Sequence, residues 1–494
     1  MPTTPTLPGF HPDPSVVFAQ GSYHLVTSTF EYLPGLPVHR SDDLQTWTPV
    51  GHVADRPGQR AVEGVPTGGG AWAPTIRFND GRFHVIVTDT FGRGTVLFTA
   101  TDPAGPWSDG LPIGIHGIDP DLAWDDDGTC YLTYSGLQVS GPQLGQHLGV
   151  QQVRVDLSTG QVLEEPRSLW SGTGLIFPES PHLYRIGGWW YLLIAEGGNE
   201  RGHAISVARS TSPMGPFEGC PHNPLLTASG TDRPVQCTGH GDLVQRPDGE
   251  WELVLLGVWV RGSTRAFGSL GRETFTTRVT WDEDGWPVIQ PVDATGRTTL
   301  PRFVDRFDGP VLGHDWVAVR RFAHDVARCD DGLVLEGEGR TMDDKVPTFV
   351  GRRQTRLDAR IAARVEAGTD DTIGGVSLRF DERNHYDIEL QPGRVVARAV
   401  LPGIRQEHAV PFTGTSATLV FEMRAPRRWS SAAVSSDLID CIVETSGERT
   451  VIATFDGRYL SAEVVGSFTG RVAGVFCQAG VLRVAHYEEA DLPS

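Results

Sequence analysis

Lysine is nearly absent from this chain of 494 residues: Lys345 is the only one, so arginine carries almost all of the positive charge. A phosphate-binding P-loop and Schiff-base chemistry both need a lysine at a defined place, so neither is expected. The six cysteines form no CxxC pair and no HExxH sequence occurs, which argues against zinc sites and a disulfide framework. We interpret the cysteines as small buried hydrophobic residues.

Positive charge is outweighed by negative charge: the chain has 61 acidic and 42 basic residues, and its formal net charge is −19. Such a surface repels phosphate backbones and anionic lipids, so we expect neither nucleic acid nor a membrane as a partner. No apolar run approaches the roughly 18 residues of a membrane span. The N-terminal sequence MPTTPTLPGFHPDP has neither the basic nor the apolar region of a signal peptide, which predicts a cytoplasmic protein.

Amphipathic helical patterns are rare as well, and short β-rich runs bounded by Gly, Pro, Asp and Asn take their place. The chain is therefore predicted to be all-β. Its length exceeds the roughly 250 to 300 residues at which single hydrophobic cores stop growing, so we expect two domains.

One unit recurs five times in the first 300 residues: an extended start, a glycine turn, and a strand of aromatic and aliphatic residues. The copies start at Asp13, Ala73, Asp119, Ser180 and His240. Periods of about 40 to 50 residues with four strands per unit are typical of propeller blades. The repeat predicts a five-bladed β-propeller over residues 1–300. A double β-sandwich would match the number of strands but would not explain five similar units.

The first strand of each propeller blade lines the central channel, so equivalent positions should converge on one axis. Aligning the copies puts Asp13, Asp119 and His240 at the same position, with Trp72 and Glu179 one residue before it. The alignment therefore predicts three carboxylates and an aromatic side chain around one pocket.

Three carboxylates in one pocket are suited to glycoside hydrolysis. One carboxylic acid protonates the leaving oxygen, and one carboxylate activates water or attacks the anomeric carbon. A third acidic group can keep the pKa of the acid high, because like charges disfavour ionisation. The alternative is a propeller that binds sugar without cutting it. Such a protein could lose the acid or the base, so the presence of all three carboxylates argues against it.

Several stretches resemble, in order, signature sequences of glycoside hydrolase family 43, above all its two-domain β-xylosidases and α-L-arabinofuranosidases. They are LPGFHPDPS, TSTFEYLPGLPVHRSDDLQTW, GAWAPTIRF, GIDPDLAWDDDG, ESPHLYRIGGWWYLLIAEGG, TGHGDLVQ and LGRETF. The resemblance implies an inverting, exo-acting enzyme that takes a small oligosaccharide, and it leaves xylosidase and arabinofuranosidase activity as competitors. A fructan-cleaving five-bladed enzyme would carry NDPNG, RDP and EC motifs, which this sequence does not contain.

The same resemblance implies roles for the pocket residues. Asp13 matches the general base, Glu179 the general acid, and Asp119 the residue that tunes and orients that acid. His240 matches a channel histidine that is often associated with a hydrated structural cation, commonly calcium. The chemistry itself is expected to need no cofactor, and a satisfied core histidine is the alternative for His240.

Four further residues are implied to bind the substrate. Phe30 and Trp72 match aromatic walls of the pocket, and Arg272 matches an arginine that contacts sugar hydroxyl groups. The loop GSFTGRVAG resembles one that reaches over the active site, with Phe468 as its wall residue. Ordinary blade packing is the alternative for the two aromatic residues, and a structural ion pair with Glu273 is the alternative for Arg272.

The pattern of the sequence changes near residue 300. Alternating strands joined by turns such as QPGR predict a β-sandwich over residues 301–494. VDRFDGPVLGHDWVAVRR looks like the start of the C-terminal sandwich of the family, a lectin-like jelly roll. A pocket capped by this domain would favour single sugars cut from chain ends, and a homo-oligomer is an open possibility.

Overall fold

The computed structural model describes residues 4–139, 141–294, 296–426 and 434–492. Strands dominate this part of the chain, where the helices α1 (Ala323–Val326) and α2 (Ala462–Val465) and the 3-10 helix Gly457–Leu460 have four residues each. No helix within these ranges is long and apolar enough to cross a membrane. The strands form five sheets of four or five strands, followed by two sheets of eight. The predicted all-β fold, a five-bladed propeller and a β-sandwich, is confirmed.

The five small sheets are the propeller blades, each an antiparallel meander. The strands of blades one and two, with one short strand between them in the chain, are β1 (Ser15–Ala19), β2 (Ser22–Val26), β3 (Tyr32–Leu33), β4 (Gly35–Ser41), β5 (Thr48–Ala54), β6 (Gly70–Asn79), β7 (Arg82–Thr90), β8 (Gly94–Ala100) and β9 (Leu111–Ile113). Blade three contains β10 (Ile118–Trp124), β11 (Cys130–Leu137), β12 (His147–Asp156), β13 (Gln161–Val162) and β14 (Arg167–Trp170). Blade four contains β15 (Glu179–Ile186), β16 (Trp189–Glu196), β17 (Ala204–Ser210), β18 (Glu218–Gly219) and β19 (Leu226–Thr227). Blade five contains β20 (Val235–Gln245), β21 (Trp251–Trp259), β22 (Arg272–Trp281) and β23 (Pro287–Ile289).

The N-terminal segment closes the ring by pairing with β22 of the last blade. Leu7 bridges Thr274, and the His11 amide donates to the Arg272 carbonyl oxygen at 3.0 Å. The Thr274 hydroxyl donates in return to the His11 carbonyl oxygen at 2.6 Å. This closure brings the start of blade one, with Asp13, beside the start of β22.

Apolar side chains pack between each pair of neighbouring blades. Representative buried pairs across the five contacts are Val38 and Val85, Ile86 and Leu132, Val150 and Leu192, Leu193 and Leu255, and Leu25 and Val254. Complete burial of one such side chain contributes about 1.5–3 kcal/mol. Five interfaces of this kind make the ring a rigid support for side chains on its axis.

The five aligned positions share an unusual backbone conformation. Each has a positive φ, and four of the five lie next to a break in the strand register. The residues are Asp13 (56°), Ala73 (40°), Asp119 (54°), Ser180 (52°) and His240 (47°). Left-handed backbone is costly for residues other than glycine and persists where the surrounding structure enforces it. Its recurrence supports the alignment of the five repeats, and we call these residues the pocket ring.

The two large sheets form the sandwich. One contains β24 (Phe303–Asp305), β26 (Ala327–Cys329), β27 (Leu333–Glu336), β29 (Ala359–Ala367), β34 (Ser416–Arg424), β35 (Leu438–Thr445), β36 (Glu448–Asp456) and β38 (Val481–Asp491). The other contains β25 (Val317–Val319), β28 (Phe349–Arg353), β30 (Ile373–Asp381), β31 (Asn384–Gln391), β32 (Arg394–Leu401), β33 (Ile404–Pro411) and β37 (Val472–Ala479), together with β3. Their inner faces enclose one large apolar core.

The short strand β3 ties the propeller to the sandwich. It leaves blade one and pairs with β25, so that Tyr32 faces Val319 and Leu33 faces Ala318. The last blade strand ends at Ile289 and β24 begins at Phe303. A strand that lies early in the propeller sequence therefore extends a sandwich sheet, which holds the second domain over the mouth of the channel.

Candidate active site

One pocket at the mouth of the channel brings together all of the residues singled out from the sequence. Its walls include Asp13, Phe30, Trp72, Asp119, Glu179, His240, Arg272 and Phe468. These residues come from all five blades or the loops before them, and from the sandwich. The convergence that the repeat alignment predicted is therefore present in the fold.

Asp13 is held as a buried carboxylate with both oxygens hydrogen-bonded. Arg272 donates from Nη1 to Oδ1 at 2.8 Å, and the Ser28 hydroxyl donates to Oδ2 at 2.6 Å. The Ala73 amide donates to the Ser28 oxygen at 2.7 Å, which fixes the direction of that hydroxyl. Burial works to raise the pKa of Asp13, but the Arg272 charge and the Ser28 hydrogen bond outweigh it and leave the pKa below its usual value. Asp13 is therefore ionised at neutral pH.

The pKa values of Asp119 and Glu179 are both raised, in contrast to that of Asp13. Burial and the nearby charge of Asp13 raise the pKa of Asp119 to about 7, although the Ser180 amide donates to its Oδ2 at 3.0 Å. Burial, and then the charges of Asp119 and Asp13, raise the pKa of Glu179 well above its usual value. The pocket therefore combines one ionised carboxylate with a pair of carboxyl groups that retains a proton near neutral pH.

Three aromatic rings form one wall of the pocket. Phe30 and Phe468 stack with ring centres 6.3 Å apart and planes 19° apart, and Trp72 meets Phe468 edge-on at 5.5 Å. Arg272 lies 5.5 Å from the centre of the Phe468 ring and donates from Nη2 to its carbonyl oxygen at 3.3 Å. Aromatic faces of this kind pack against the C–H groups of a sugar, while the carboxylates and the guanidinium group bind its hydroxyls.

The loop that carries Phe468 is anchored at its end. Arg471 is completely buried and forms a two-point ion pair with Asp437, with N–O distances of 2.5 and 2.9 Å. A Cβ atom at Gly470 would lie 2.3 Å from the Leu270 carbonyl oxygen, so only glycine allows the loop to approach blade five this closely. The sandwich therefore places Phe468 in the pocket through a fixed loop, as the sequence predicted.

Trp72 is positioned by both domains. Its indole Nε1 donates to the Gly68 carbonyl oxygen at 2.7 Å, and the Gly68 amide donates to Glu31 Oε2 at 3.1 Å. From the sandwich, Arg320 donates from Nε to the Val65 carbonyl oxygen at 3.0 Å. The loop that orients this wall is therefore held partly by the second domain.

Replacing Phe468 with alanine should weaken substrate binding without unfolding the protein. The side chain is 38% exposed and contributes one face of the aromatic wall. We expect KM to rise roughly threefold to tenfold with a smaller change in kcat, in line with the energy of an aromatic contact. Steady-state kinetics on a short oligosaccharide, with the melting temperature as a control for folding, would measure this. An unchanged KM would show that the loop covers the pocket without contacting the sugar.

Arg272 pairs with Asp13 and not with its neighbour Glu273. Its neighbour Glu273 accepts hydrogen bonds from Arg297 at 2.7 and 2.8 Å. The expected structural ion pair therefore exists, but it belongs to Arg297. Arg272 itself lines the pocket, and its contact with sugar hydroxyl groups stays a prediction.

His240 lies in the pocket wall with Nδ1 3.6 Å from Asp13 Oδ1, and burial lowers its pKa to about 3. It is therefore neutral. A calcium ion needs about six to eight oxygen ligands, but both oxygens of Asp13 are engaged by Arg272 and Ser28. In the described ranges no three His, Cys, Asp or Glu side chains are grouped in a way that could hold a metal ion. Asp13 therefore offers no free oxygen to a calcium ion beside His240.

Sequence reasoning missed several pocket residues because they carry no chemical signal. Ile118, Leu137 and Asn199 also line the pocket. Asn199 belongs to the EGGNE stretch, whose glycines at 197 and 198 have positive φ and allow the loop to approach the pocket. Apolar and amide side chains of this kind are too common to be recognised as pocket residues from the sequence alone.

Comparison with known proteins agrees with this geometry. The profile described as Glycosyl hydrolases family 43 matches residues 2–287, and the one described as Beta xylosidase C-terminal Concanavalin A-like domain matches residues 304–491. A non-reducing end alpha-L-arabinofuranosidase of Bacteroides ovatus is 36% identical over 96% of this chain and 90% of its own. A xylosidase/arabinosidase of Butyrivibrio fibrisolvens is 35% identical over 78% of both chains.

Solved structures show the same likeness over the whole length. A xylan beta-1,4-xylosidase of Bacillus halodurans superposes with a TM-score of 0.89 at 27% identity, covering 99% of this chain and 100% of the other. Both domains are therefore shared in their arrangement with a solved family member. The chain belongs to glycoside hydrolase family 43 and is a glycosidase of its xylosidase and arabinofuranosidase group.

Proposed function

We propose that this enzyme releases D-xylose from the non-reducing end of β-1,4-xylo-oligosaccharides with inversion of anomeric configuration. The observation that carries the proposal is the contrast between an ionised Asp13 and a protonated Asp119–Glu179 pair in one pocket. Hydrolysis in one displacement needs a base and an acid at the same time, and this contrast supplies both. The cytoplasmic location and a homo-oligomer stay predictions.

Asp13 is the general base in this mechanism and draws a proton from the attacking water. Glu179 is the general acid and gives its proton to the leaving oxygen. Asp119 keeps the pKa of Glu179 high by its charge and is itself held by the Ser180 amide. Arg272 holds Asp13 in place and presents its remaining donors to sugar hydroxyl groups. In a single displacement the water and the leaving group lie on opposite faces of the sugar, which inverts the configuration.

A second cavity beside the pocket supports action on short oligosaccharides. It shares Asn199, Arg272 and Phe468 with the pocket, so the two spaces adjoin. Its other walls come from the blade-four loop with Glu200, from blade five with Val258, and from the sandwich with Glu463. We propose that the pocket holds the terminal sugar and that this cavity holds the leaving group. Walls from both domains favour chain ends over internal bonds of a polymer.

Cleavage of α-L-arabinofuranosides is the second candidate activity. It is favoured by the likeness to the Bacteroides ovatus enzyme, which is named for that activity and matches nearly the whole chain. The same acid and base can serve both sugars, because each reaction protonates an exocyclic oxygen and delivers water to an anomeric carbon. Preference between the two depends on how the pocket walls fit the ring.

One set of assays tests these proposals. The kcat/KM values for p-nitrophenyl β-D-xyloside and p-nitrophenyl α-L-arabinofuranoside give the preferred sugar, with xylobiose and polymeric xylan as natural substrates. Proton NMR of the first product should show α-xylose from a β-linked substrate. Release of β-xylose would overturn inversion, and faster attack on internal bonds of xylan than on xylobiose would overturn exo-action. A higher kcat/KM for the arabinofuranoside would make the second candidate the main activity.

Asp119→Asn should shift the pH dependence of hydrolysis. Asparagine can still accept from the Ser180 amide but carries no charge, so the pKa of Glu179 should fall. The acid must be protonated, so the loss of kcat/KM at high pH should begin at lower pH than in the wild type. The acidic limb, set by Asp13, should move less. A pH profile on xylobiose measures both limbs, and an unmoved basic limb would show that Asp119 does not control the acid.

A further inference from the structure

A second ring of polar side chains surrounds the axis below the pocket ring. It lies two residues further along each inner strand, where the alternation of a strand turns side chains to the same side. Its members are Ser15, Thr75, Asp121, His182 and Asp242. Asp121 and Asp242 are completely buried. Two buried carboxylates would destabilise the fold strongly unless a positive charge accompanied them.

Arg77 of blade two supplies that charge. Its Nη2 lies 2.9 Å from Asp121 Oδ1 in blade three, and its Nη1 lies 2.8 Å from Asp242 Oδ2 in blade five. Nη2 also donates to Asp242 Oδ1 at 3.2 Å, which makes the contact with Asp242 two-pronged. A single guanidinium group therefore links three blades on the axis.

Hydrogen-bond donors from other blades also contact the two carboxylates. Ser15 of blade one donates to Asp242 Oδ2 at 2.6 Å, and Tyr184 of blade four donates to Oδ1 at 2.5 Å. The Leu183 amide donates to Asp121 Oδ2 at 2.8 Å. Burial works to raise the pKa of Asp242, but the charge of Arg77 outweighs it and holds that pKa well below its usual value. Three of the four carboxylate oxygens therefore accept hydrogen bonds from the protein, and the fourth, Asp121 Oδ1, contacts the Arg77 guanidinium group without one.

His182 cannot act as a metal ligand in this arrangement. Its Nδ1 lies 3.0 Å from Arg77 Nη2. A guanidinium group can only donate, so Nδ1 accepts and the ring proton of the neutral histidine is on Nε2. One ring nitrogen is thus engaged by Arg77 and the other carries a proton.

We propose that the Arg77 guanidinium group is the resident cation of the propeller axis and does the work of a divalent metal ion there. It balances one of the two negative charges of Asp121 and Asp242 and joins the blades. Of the four carboxylate oxygens only Asp121 Oδ1, which lies 2.9 Å from Nη2, accepts no hydrogen bond. In the pocket ring above, Asp13 offers calcium no free oxygen either, since it is engaged by Arg272 and Ser28. The stability and activity of this enzyme are therefore independent of divalent cations.

Thermal unfolding of the wild type and of Arg77→Met tests the proposal. The melting temperature and activity of the wild type should be the same after dialysis against EDTA as in a few millimolar calcium chloride. Arg77→Met should melt roughly 10 °C lower, because it leaves two buried carboxylates without the positive charge that accompanies them. Millimolar calcium should restore much of that loss, since the two carboxylates then face each other without their guanidinium group.

Arg297→Met is the matched control. Arg297 also pairs with a buried carboxylate, Glu273, but with only that one. This variant should lose stability and gain nothing from calcium. Wild-type enzyme whose melting temperature or activity falls in EDTA and returns with calcium would overturn the proposal, whether or not Arg77→Met folds. Two further results would also overturn the assignment of Arg77 as a metal equivalent. One is that calcium does not stabilise a folded Arg77→Met, and the other is that calcium stabilises both variants equally.

Discussion

Glu179→Ala should lower kcat/KM for xylobiose about a thousandfold while lowering that for p-nitrophenyl β-D-xyloside less than about tenfold. The two substrates differ in how much they need an acid. A sugar alkoxide is a poor leaving group and must be protonated as the bond breaks, whereas p-nitrophenolate leaves without help. Burial and the charges of Asp119 and Asp13, which raise the pKa of Glu179, suit it to supply this proton at neutral pH.

The contrast between the two substrates is the informative measurement, because a misfolded variant would lose activity on both. Glu200→Ala is the matched control: Glu200 is an exposed acid on a nearby loop, it lines the second cavity, and its charge also acts on Glu179. Its loss should change kcat/KM for both substrates modestly and by similar factors. Equal, severe losses on both substrates in Glu179→Ala, with an unchanged melting temperature, would remove Glu179 from the role of general acid.

The sequence predicts the pocket well because its residues occupy equivalent positions in a repeat. Once five similar units are recognised, the geometry of a propeller brings Asp13, Asp119 and His240 together without any further information. The structure adds the positive φ that these positions share, which no propensity of Asp or His would predict. The family resemblance then assigns roles that the alignment alone leaves open.

Other contacts depend on how far a side chain reaches or on which distant segments pair. The sequence does not reveal these contacts. Asp121 and Asp242 follow the pocket ring by two residues, so their place on the axis is implicit in the alternation of a strand. Arg77 lies four residues beyond the ring, so the same alternation puts it on that face, but it does not say which groups the long side chain reaches. Only the fold shows that it contacts both carboxylates. The same holds for β3, whose pairing with β25 joins segments nearly 300 residues apart.

Asp13→Ala should lower kcat/KM for xylobiose and for p-nitrophenyl β-D-xyloside alike, each by about a thousandfold or more. The attacking water must be activated whatever the leaving group, so a better leaving group cannot compensate. This distinguishes the base from the acid by the pattern of loss across substrates. Because Arg272 and Ser28 both donate to Asp13, the melting temperature of the variant must be measured alongside.

Azide provides a positive test of the same residue. The alanine variant leaves space on the face from which water attacks, and a small anion needs no base to act as a nucleophile. Sodium azide should therefore restore turnover of the aryl xyloside by Asp13→Ala and yield an α-xylosyl azide, detectable by NMR. Asp13→Asn is the matched control, since its amide fills the space and azide should rescue it poorly. A β-configured azide product, or full activity in Asp13→Asn, would require another base and a different mechanism.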